Sequence, residues 1–525
     1  MTGRTAAVSE IAQALLDPAA YPGAPESIEL IRTRRSLVFL AGEYAYKVRK
    51  AVNLGYADYT TLERRRAFCK KEVELGRRLS PELYVGVVPV TRDGGQVLVE
   101  GKGETLEYAV KMQRLQRDRM MDVLLPQDGV TLEMVGRVAA RLVDFHSRTV
   151  TGEAIGSYGR PEAVARNAGD VLAQTGQYVG RTVSQEKYDC IRNFTQGFVR
   201  DGAGLLDERV EEGRVRDCHG DLRAGHVCLA DGISIYGGLE FSDSLRYSDV
   251  ASDVVSLAVD IDHFGQASLS RHLVRTYMQL SGDMGLPEVL RFYRCYRACF
   301  AGMVESSGLD DPTIDVSEKQ QIAETAEEYL DLAWFYTRSR PVLLITSGLV
   351  GTGKTTIARV LGRRLGLVVV SSDATRKQLA GIPVIEHRYE RLGAGIYSPE
   401  FTRRTYAEMF KRAREILWSG DSVILDASFT SAEYRLRARE LAEEANADFA
   451  VVECTAPEDI LRERLVRRQR ERSISDARQD VLDLQKGLFA PVSEVPDDRH
   501  IVVDTSQPVH KVIEEIESGM PPASR

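Results

Sequence analysis

A glycine-rich stretch in the second half of the chain constrains the fold more than any other segment. Residues 348–355 read Gly-Leu-Val-Gly-Thr-Gly-Lys-Thr and match the phosphate-binding pattern G-x-x-x-x-G-K-[ST] at every fixed position. An apolar run at residues 342–345 precedes the stretch, and apolar residues at helical spacing follow it. We therefore expect a loop between a buried strand and a helix, with backbone amides directed at phosphate oxygens.

The residue types in this loop predict the binding of a nucleoside triphosphate, ATP or another, together with Mg²⁺. Lys354 would reach the β- and γ-phosphates as the catalytic cation, and the Thr355 hydroxyl would hold the metal ion. The predicted nucleotide contacts of the loop are Gly348, Gly351, Thr352, Gly353, Lys354, Thr355 and Thr356.

Length and composition limit the number of domains and the class of protein to which the chain can belong. A chain of 525 residues corresponds to about two to four domains, and 43% hydrophobic with 28% charged residues is typical of globular proteins. The net charge of -8 favours neither nucleic acid nor an anionic membrane as a partner of the whole chain. Seven cysteines without metal-binding spacing and the lack of long apolar runs predict a cytoplasmic protein with reduced thiols and no membrane span.

The first half of the chain changes from strand-like to helical patterns. Residues 36–50 alternate on both sides of a Gly-Glu turn, as in two antiparallel strands, and residues 62–79 have helical spacing. Further strands are predicted at Tyr84–Val90, Gln96–Val99 and Leu106–Met112, and the pattern after Thr131 is mainly helical. The sequence thus predicts a small mixed lobe at about 30–115 and a helical lobe at about 116–336.

A second polar motif lies within the helical region. Residues 219–229 read His-Gly-Asp-Leu-Arg-Ala-Gly-His-Val-Cys-Leu, and a second short strand with polar ends follows at residues 235–243. Two short strands with polar residues at their ends suit a phosphotransfer loop. In such a loop one carboxylate directs the acceptor hydroxyl and another holds a metal ion.

This region resembles the aminoglycoside phosphotransferase family, whose members are related to protein kinases and have a strand-rich lobe followed by a helical lobe. The resemblance covers about residues 30–330, and residues 219–221 match the start of the family motif HGDxxxxN. It implies that Asp221 is the catalytic aspartate. It also implies that Lys47 is the strand lysine that contacts the nucleotide phosphates and that Glu72 is its ion-pair partner on a helix.

Two positions depart from the family pattern. The family's metal-binding asparagine corresponds to His226, and its metal-binding aspartate aligns with Glu240. The resemblance implies that these two residues are the metal ligands, although imidazole suits Mg²⁺ less well than a carbonyl oxygen does. No glycine-rich pattern precedes Lys47. The first half is therefore either a second kinase site or a regulatory module that is catalytically impaired.

The second half begins after a polar linker that ends at Pro341. Alternating strand and helix patterns from Val342 onward predict a parallel sheet covered on both faces. This half resembles P-loop kinases of the gluconate kinase, polynucleotide kinase and zeta-toxin type. Their Asp-x-x-Arg pair implies that Asp373 is the base for the acceptor hydroxyl and that Arg376 binds the acceptor.

Two further features complete the predicted site of the second half. Asp426 follows an apolar strand and would order Mg²⁺. Residues 461–472 are rich in arginine, which by default indicates a solvated helix. The resemblance to P-loop kinases implies instead that such arginines close over the phosphates, with Arg464 and Arg468 as the first candidates.

Taken together, these observations predict α/β and α+β architecture. A bilobal protein-kinase-like domain would cover residues 1–338, and a doubly wound parallel-sheet P-loop kinase domain would cover residues 341–525. The expected activity is ATP-dependent transfer of the γ-phosphoryl group to a hydroxyl of a small-molecule acceptor, at one or two sites. A nucleic-acid 5'-hydroxyl kinase remains as an alternative that the acidic charge disfavours. The sequence does not identify the acceptor.

Overall fold

The computed structural model describes residues 11–33, 35–53, 57–230, 232–312, 314–338, 340–365, 367–383, 394–418, 420–470 and 479–520, without the side chains of 467–470 and 479–481. The chain divides into two compact units, Met1–Thr337 and Arg338–Arg525, which we call the N-terminal and the C-terminal unit. Across these described ranges, no helix is both long enough and apolar enough to span a bilayer.

The N-terminal unit begins with an antiparallel sheet of six strands in the order β1-β2-β3-β6-β4-β5. The strands are β1 Ile28–Arg32, β2 Ser36–Ala41, β3 Tyr44–Arg49, β4 Tyr84–Asp93, β5 Gln96–Val99 and β6 Glu104–Gln113. The hairpin predicted for residues 36–50 is confirmed. Gly42 at its turn has φ of +61°, a left-handed conformation that glycine adopts at little cost.

Helix α1, Leu62–Gly76, lies between β3 and β4 in sequence and packs on β4 and β6. Its first turn is capped by Thr61, whose side chain accepts a hydrogen bond from the Arg64 amide. At its other end, a Cβ on Gly76 would lie 2.2 Å from the ring of Tyr84. The helix therefore approaches the sheet closely and holds Glu72 against it.

The rest of the N-terminal unit is mainly helical. Its helices are α2 Met121–Leu124, α3 Leu132–Arg148, α4 Glu153–Gly156, α5 Pro161–Thr175, α6 Gln185–Asp201, α7 Ala203–Glu211, α8 Asp243–Arg246, α9 Val250–His263, α10 Ala267–Ser281, α11 Leu286–Ser306 and α12 Val316–Arg338. Helix α9 is buried along most of its length, and its buried residues include Asp253 and Asp260. It packs against α10 and α11.

Two pairs of short antiparallel strands frame the motif at residues 219–226. Strand β7 Val215–Asp217 pairs with β10 Tyr247–Asp249, and β8 Val227–Cys228 pairs with β9 Ser234–Ile235. The motif leaves β7, makes one turn of 3-10 helix and enters β8. Its backbone is therefore fixed at both ends.

The C-terminal unit contains a parallel sheet of five strands in the order β12-β13-β11-β14-β15. The strands are β11 Val342–Ser347, β12 Val368–Ser371, β13 Val423–Asp426, β14 Asp448–Thr455 and β15 His500–Asp504. The helices are α13 Lys354–Leu365, α14 Ser372–Leu379, α15 Pro399–Trp418, α16 Ala432–Glu444, α17 Glu458–Arg470, α18 Gln479–Leu488 and α19 Val509–Gly519.

The central strand of this sheet, β11, is buried at every position. Separate hydrophobic clusters cover the two faces of the sheet, one involving α15 and α16 and the other involving α13 and α19. This arrangement explains the continuous apolar pattern of β11, because a strand covered on both faces has no solvent-facing side. The predicted fold class is confirmed for both halves of the chain.

A buried ion-pair network fixes the start of α9. Arg209 donates to Asp249 (Nη2 to Oδ1, 2.6 Å) and to Asp283 (Nη2 to Oδ2, 2.9 Å), and all three side chains are buried. Asp249 also accepts a hydrogen bond of 2.8 Å from the Ala251 amide and so caps the helix. One guanidinium thus holds the N-terminus of α9.

We expect Arg209→Met to reduce the free energy of unfolding of the N-terminal unit by about 3 to 5 kcal/mol, because two buried carboxylates lose their cation. Chemical denaturation followed by circular dichroism measures this loss. Arg200→Met is the matched control, since Arg200 pairs with Asp201 on the exposed surface, and it should leave the transition unchanged. Equal effects of both variants would contradict the role assigned to Arg209.

Candidate functional site

The glycine-rich loop of the C-terminal unit connects β11 to α13, as predicted. Gly348, Gly351 and Gly353 have φ of +128°, +88° and +81°. A Cβ on Gly348 would lie 2.3 Å from the carbonyl oxygen of Cys454 on the neighbouring strand. The first glycine is therefore required by close backbone packing as well as by its conformation.

Lys354 lies across this loop. Its Nζ donates hydrogen bonds to the carbonyl oxygens of Gly348 (2.9 Å) and Leu349 (2.6 Å). The Thr352 hydroxyl donates to the Leu349 carbonyl at 2.8 Å, so this predicted nucleotide contact has its side chain inside the loop. Thr356 is exposed in the first turn of α13. The structure thus places the predicted residues in one loop, with the ammonium group held against its backbone.

Asp426 and Thr355 meet beside the loop. Asp426 ends β13, is buried, and is paired in register with Ser371 of β12. Burial raises the pKa of Asp426, an effect that a hydrogen bond from Thr355 and the charge of Lys354 oppose. A hydroxyl and a buried carboxylate are hard oxygen donors, so this pair fits Mg²⁺.

Asp373 and Arg376 lie one turn apart on α14, which follows β12. Arg376 Nη1 donates to Asp373 Oδ1 at 3.3 Å, and the guanidinium lies over the ring of Tyr397 at 4.7 Å. The Nε atom of Arg376 is buried and has no hydrogen-bond partner among the described residues. The charge of Asp373 contributes to the raised pKa of Asp426, so the two carboxylates share one edge of the sheet.

Arg464 on α17 is directed at the loop. It donates from Nη1 to Thr505 Oγ1 (3.1 Å), from Nη2 to the Thr505 carbonyl (2.6 Å) and from Nη1 to the Gly351 carbonyl (3.4 Å). It therefore ties the loop to the end of β15 rather than pointing into solvent. The structure does not describe the side chain of Arg468, the other arginine predicted to close over the phosphates.

Gln485 on α18 contacts the glycine-rich loop, and the sequence analysis did not predict this contact. Its Oε1 accepts a hydrogen bond of 2.8 Å from the Val350 amide in the loop. Leu461, Leu465 and Leu482 form a small cluster on α17 and α18 that packs against Leu349 and Val350. The two apolar residues inside the glycine-rich pattern were the sequence signal that could have indicated this packing, because a loop exposed to solvent seldom carries two apolar residues.

In the N-terminal unit, the structure brings Lys47 on β3 and Glu72 on α1 together, with Nζ and Oε1 2.8 Å apart. Arg49, two residues further along β3, also contacts Glu72 (Nη2 to Oε2, 2.5 Å). Sequence reasoning missed Arg49, because a charged residue on a strand is usually solvated.

Glu240, the predicted metal ligand, is held by Arg49. Arg49 Nη2 lies 2.5 Å from Glu240 Oε1, and the Tyr59 hydroxyl donates to the same oxygen at 3.2 Å. The Arg49 and Glu240 side chains are only 1% and 4% exposed. This carboxylate therefore already has a cation and a hydrogen-bond donor.

Asp221 is likewise engaged by a neighbouring cation. Arg223 Nε donates to Asp221 Oδ1 at 3.0 Å, and Arg223 Nη1 contacts Glu305 Oε1 at 3.4 Å. Burial acts to raise the pKa of Asp221, but Arg223 and the nearby histidines outweigh it and hold the pKa below its ordinary value. The cavity beside Asp221 and Arg223 measures about 10 Å³, about the space that one water molecule needs.

The loop that carries Asp221 is supported from α9. Asp253 accepts hydrogen bonds from the amides of His219 (3.0 Å) and Gly220 (2.8 Å), and His146 Nε2 lies 3.2 Å from the same carboxylate. From α11, Arg297 donates to the Gly220 carbonyl at 3.0 Å. Asp253 on α9 therefore holds the backbone of this loop in place. Burial lowers the pKa of His219 to about 4, which keeps its ring neutral at pH 7.

His226, the second predicted metal ligand of this unit, contacts the backbone of its own loop. Its Nδ1 lies 2.7 Å from the Asp221 carbonyl oxygen, an arrangement in which Nδ1 carries the proton and donates. A Cβ on Gly237 would lie 3.0 Å from its Nε2, so the segment that follows β9 approaches the ring closely. Burial lowers the pKa of His226 and keeps it neutral.

The predicted metal site formed by His226 and Glu240 does not fit Mg²⁺. A divalent ion on Glu240 Oε1 at about 2.1 Å would lie within about 5 Å of Arg49 Nη2. At an effective dielectric constant of about 20, the repulsion between the ion and Arg49 alone is roughly 7 kcal/mol, which offsets part of the attraction of the ion to Glu240. The prediction of these two residues as metal ligands therefore disagrees with the charges that surround Glu240.

A groove of about 600 Å³ lies elsewhere in the C-terminal unit, between α15 and α16. Arg403, Lys411, Arg414 and Arg437 are among the residues that line it, together with the stacked rings of Tyr406 and Tyr434. It contains none of the predicted site residues.

The charge state of Glu72 leads to a prediction about pH. Burial raises its pKa, but Lys47 and Arg49 outweigh this effect and lower the pKa from 4.5 to about 2. Ionised Glu72 thus stabilises the fold above about pH 4.5, and this contribution is lost as the pH falls through about 2. We expect Glu72→Gln to reduce the free energy of unfolding by about 3 kcal/mol at pH 7 and progressively less below pH 4.5.

Denaturant unfolding of wild type and variant at several pH values measures this difference. Glu74→Gln is the control, because Glu74 pairs with Lys71 on the exposed side of the same helix. A Glu72→Gln effect that does not change between pH 7 and pH 2.5 would contradict the proposed charge interaction.

Comparisons with known proteins match parts of the chain. Residues 343–492 match a family profile described as an AAA domain. The solved structures to which the chain is similar include a gluconokinase from Sinorhizobium meliloti 1021, which is 21% identical. The match covers 35% of this chain and 93% of that one, with a TM-score of 0.26. Another similar structure is a choline/ethanolamine kinase family protein from Mesorhizobium loti, which is 14% identical. That match covers 62% of this chain and 98% of the other protein, with a TM-score of 0.36.

Two curated relatives extend over most of the chain. The uncharacterized protein Rv2004c of Mycobacterium tuberculosis (strain H37Rv) is 31% identical over 444 residues, which are 84% of this chain and 86% of the relative. The uncharacterized protein Mb2027c of Mycobacterium bovis matches over the same extent and with the same identity. The chain therefore belongs to the same family as these uncharacterized mycobacterial proteins.

Proposed function

We propose that the protein is an ATP-dependent phosphotransferase with its active site in the C-terminal unit, where the γ-phosphoryl group passes to a hydroxyl of a small-molecule acceptor. The observation that carries this proposal is the convergence of Lys354, Thr355, Asp426, Asp373 and Arg376 at one edge of the parallel sheet. Ligands of doubly wound sheets bind at this edge, where the strands end at their carboxyl termini.

Each residue has a role that follows from its chemistry and position. The glycine-rich loop would hold the phosphates through backbone amides, and Lys354 would exchange its carbonyl contacts for phosphate oxygens. Thr355 and Asp426 would hold Mg²⁺, which supplies charge neutralisation when it is bound. Arg464 would keep the loop in register with the end of β15 through its contacts with Thr505 and Gly351.

The acceptor would lie between the phosphates and α14. Asp373 would accept the proton of the acceptor hydroxyl while the hydroxyl oxygen forms a bond to the γ-phosphorus. The bond between that phosphorus and the bridging oxygen breaks, and ADP leaves with the electron pair. Arg376 has a buried Nε without a described partner, and this donor would hold an oxygen of the acceptor.

For the N-terminal unit, the structure supports a binding or regulatory role more than a second transferase site. Asp221 is paired with Arg223, and Glu240 is paired with Arg49. In this unit Lys47 and Glu72 form the ion pair that the resemblance implies. We therefore assign phosphoryl transfer to the C-terminal unit alone.

We expect Lys354→Ala to lower phosphoryl transfer by roughly 10²- to 10³-fold, because the charge opposite the transferred group is lost. The assay follows radiolabelled γ-phosphate from ATP into pooled sugars, nucleosides and RNA ends, and the labelled pool identifies the acceptor class. Lys511→Ala, an exposed lysine of the same unit, is the control. Asp221→Ala should leave transfer intact, and a loss of transfer in this variant alone would move the active site to the N-terminal unit.

We expect Asp373→Asn to lower kcat by roughly 10²- to 10⁴-fold while ATP affinity stays within about twofold of wild type, because the amide cannot accept the proton. Isothermal titration calorimetry with ATP and Mg²⁺ separates binding from turnover. Asp497→Asn on the exposed surface serves as the control. Unchanged turnover of Asp373→Asn would remove Asp373 as the base.

A further inference from the structure

Arg49 occupies an unusual position for an arginine. A single nitrogen, Nη2, lies 2.5 Å from a Glu72 oxygen and 2.5 Å from a Glu240 oxygen, and Nη1 donates to Ser36 Oγ at 3.3 Å. The side chain is 1% exposed. The guanidinium therefore joins α1 to the segment that follows β9, from a fixed position inside the sheet.

The charges around Arg49 are balanced without any added ion. Lys47 and Arg49 supply two positive charges, and Glu72 and Glu240 supply two negative charges, at distances of 2.8 Å or less. The Tyr59 hydroxyl satisfies the same oxygen of Glu240 that Arg49 contacts. The four charges pair with one another, while the Nε of Arg49 is buried without a hydrogen-bond partner among the described residues. An additional divalent cation would leave this group strongly positive.

We propose that Arg49 is a built-in cation that takes the place of a divalent metal ion in the N-terminal unit. Glu240 then binds no metal, and any anionic ligand that this unit takes at Lys47 is bound without a divalent cation. The N-terminal unit is in consequence a metal-independent binding module. This inference concerns Glu240 and stands whether or not the proposed transferase activity of the C-terminal unit is found.

Binding of Mn²⁺ alone, followed by electron paramagnetic resonance, tests the proposal on the full-length chain. Asp426→Asn provides a background without the carboxylate of the C-terminal metal site. The number of bound Mn²⁺ ions should be the same for Asp426→Asn and for the double variant Asp426→Asn/Glu240→Gln. Occupancy that is present in the first protein and lost in the second would overturn the proposal, because it would place a metal ion on Glu240 beside Arg49.

A second comparison tests whether Arg49 itself excludes the metal. Adding Arg49→Met to the Asp426→Asn background leaves two buried carboxylates without this cation, and Mn²⁺ affinity should rise by about tenfold or more. Arg49→Lys keeps the charge and should give no increase. A folded Arg49→Met protein without added Mn²⁺ binding would also overturn the proposal. If circular dichroism shows that it does not fold, the Glu240→Gln comparison decides.

Discussion

The parallel alignment of β11, β12 and β13 is the constraint on which the C-terminal site depends. Because the three strands run in one direction, the loop after β11, Asp426 at the end of β13 and the helix after β12 all emerge at the same edge. Strands β11 and β13 are buried and mainly apolar, and their polar side chains lie at their carboxyl ends. Residues far apart in sequence are therefore brought together by strand order, without any special loop conformation except that of the glycines.

The two units handle buried negative charge in opposite ways. In the C-terminal unit, Asp426 has a raised pKa because burial outweighs its hydrogen bonds, and a bound cation would relieve this cost. In the N-terminal unit, Glu72 has a lowered pKa because Lys47 and Arg49 are already in place. In the proposed function, Asp426 would hold a bound cation, whereas Glu72 has its cations within the fold.

Much of this arrangement could be predicted from sequence. The strand and helix patterns predicted the two lobes and the parallel sheet. Motifs with fixed spacing predicted that Lys354 and Thr355 follow a buried strand and that Asp221 lies in a loop beside short strands. Arg49 could not be predicted, because its partners Glu72 and Glu240 lie 23 and 191 positions further along the chain. Gln485 was missed for the same reason, since helix packing alone brings it to Val350. Local patterns indicate elements, whereas contacts between distant elements depend on how the chain packs.

Lys354 is held by carbonyl oxygens of its own loop, and this has a consequence for selectivity. In the proposed function, a phosphate would replace the carbonyl contacts at 2.9 and 2.6 Å before it gains the attraction of the ammonium group. Chloride or inorganic phosphate would recover only part of that loss, because neither would span the loop amides and the lysine together. A polyphosphate would contact both, with ionised groups on both sides of its hydrogen bonds to Lys354. Under this proposal, the resting loop would favour long anions over the small ones.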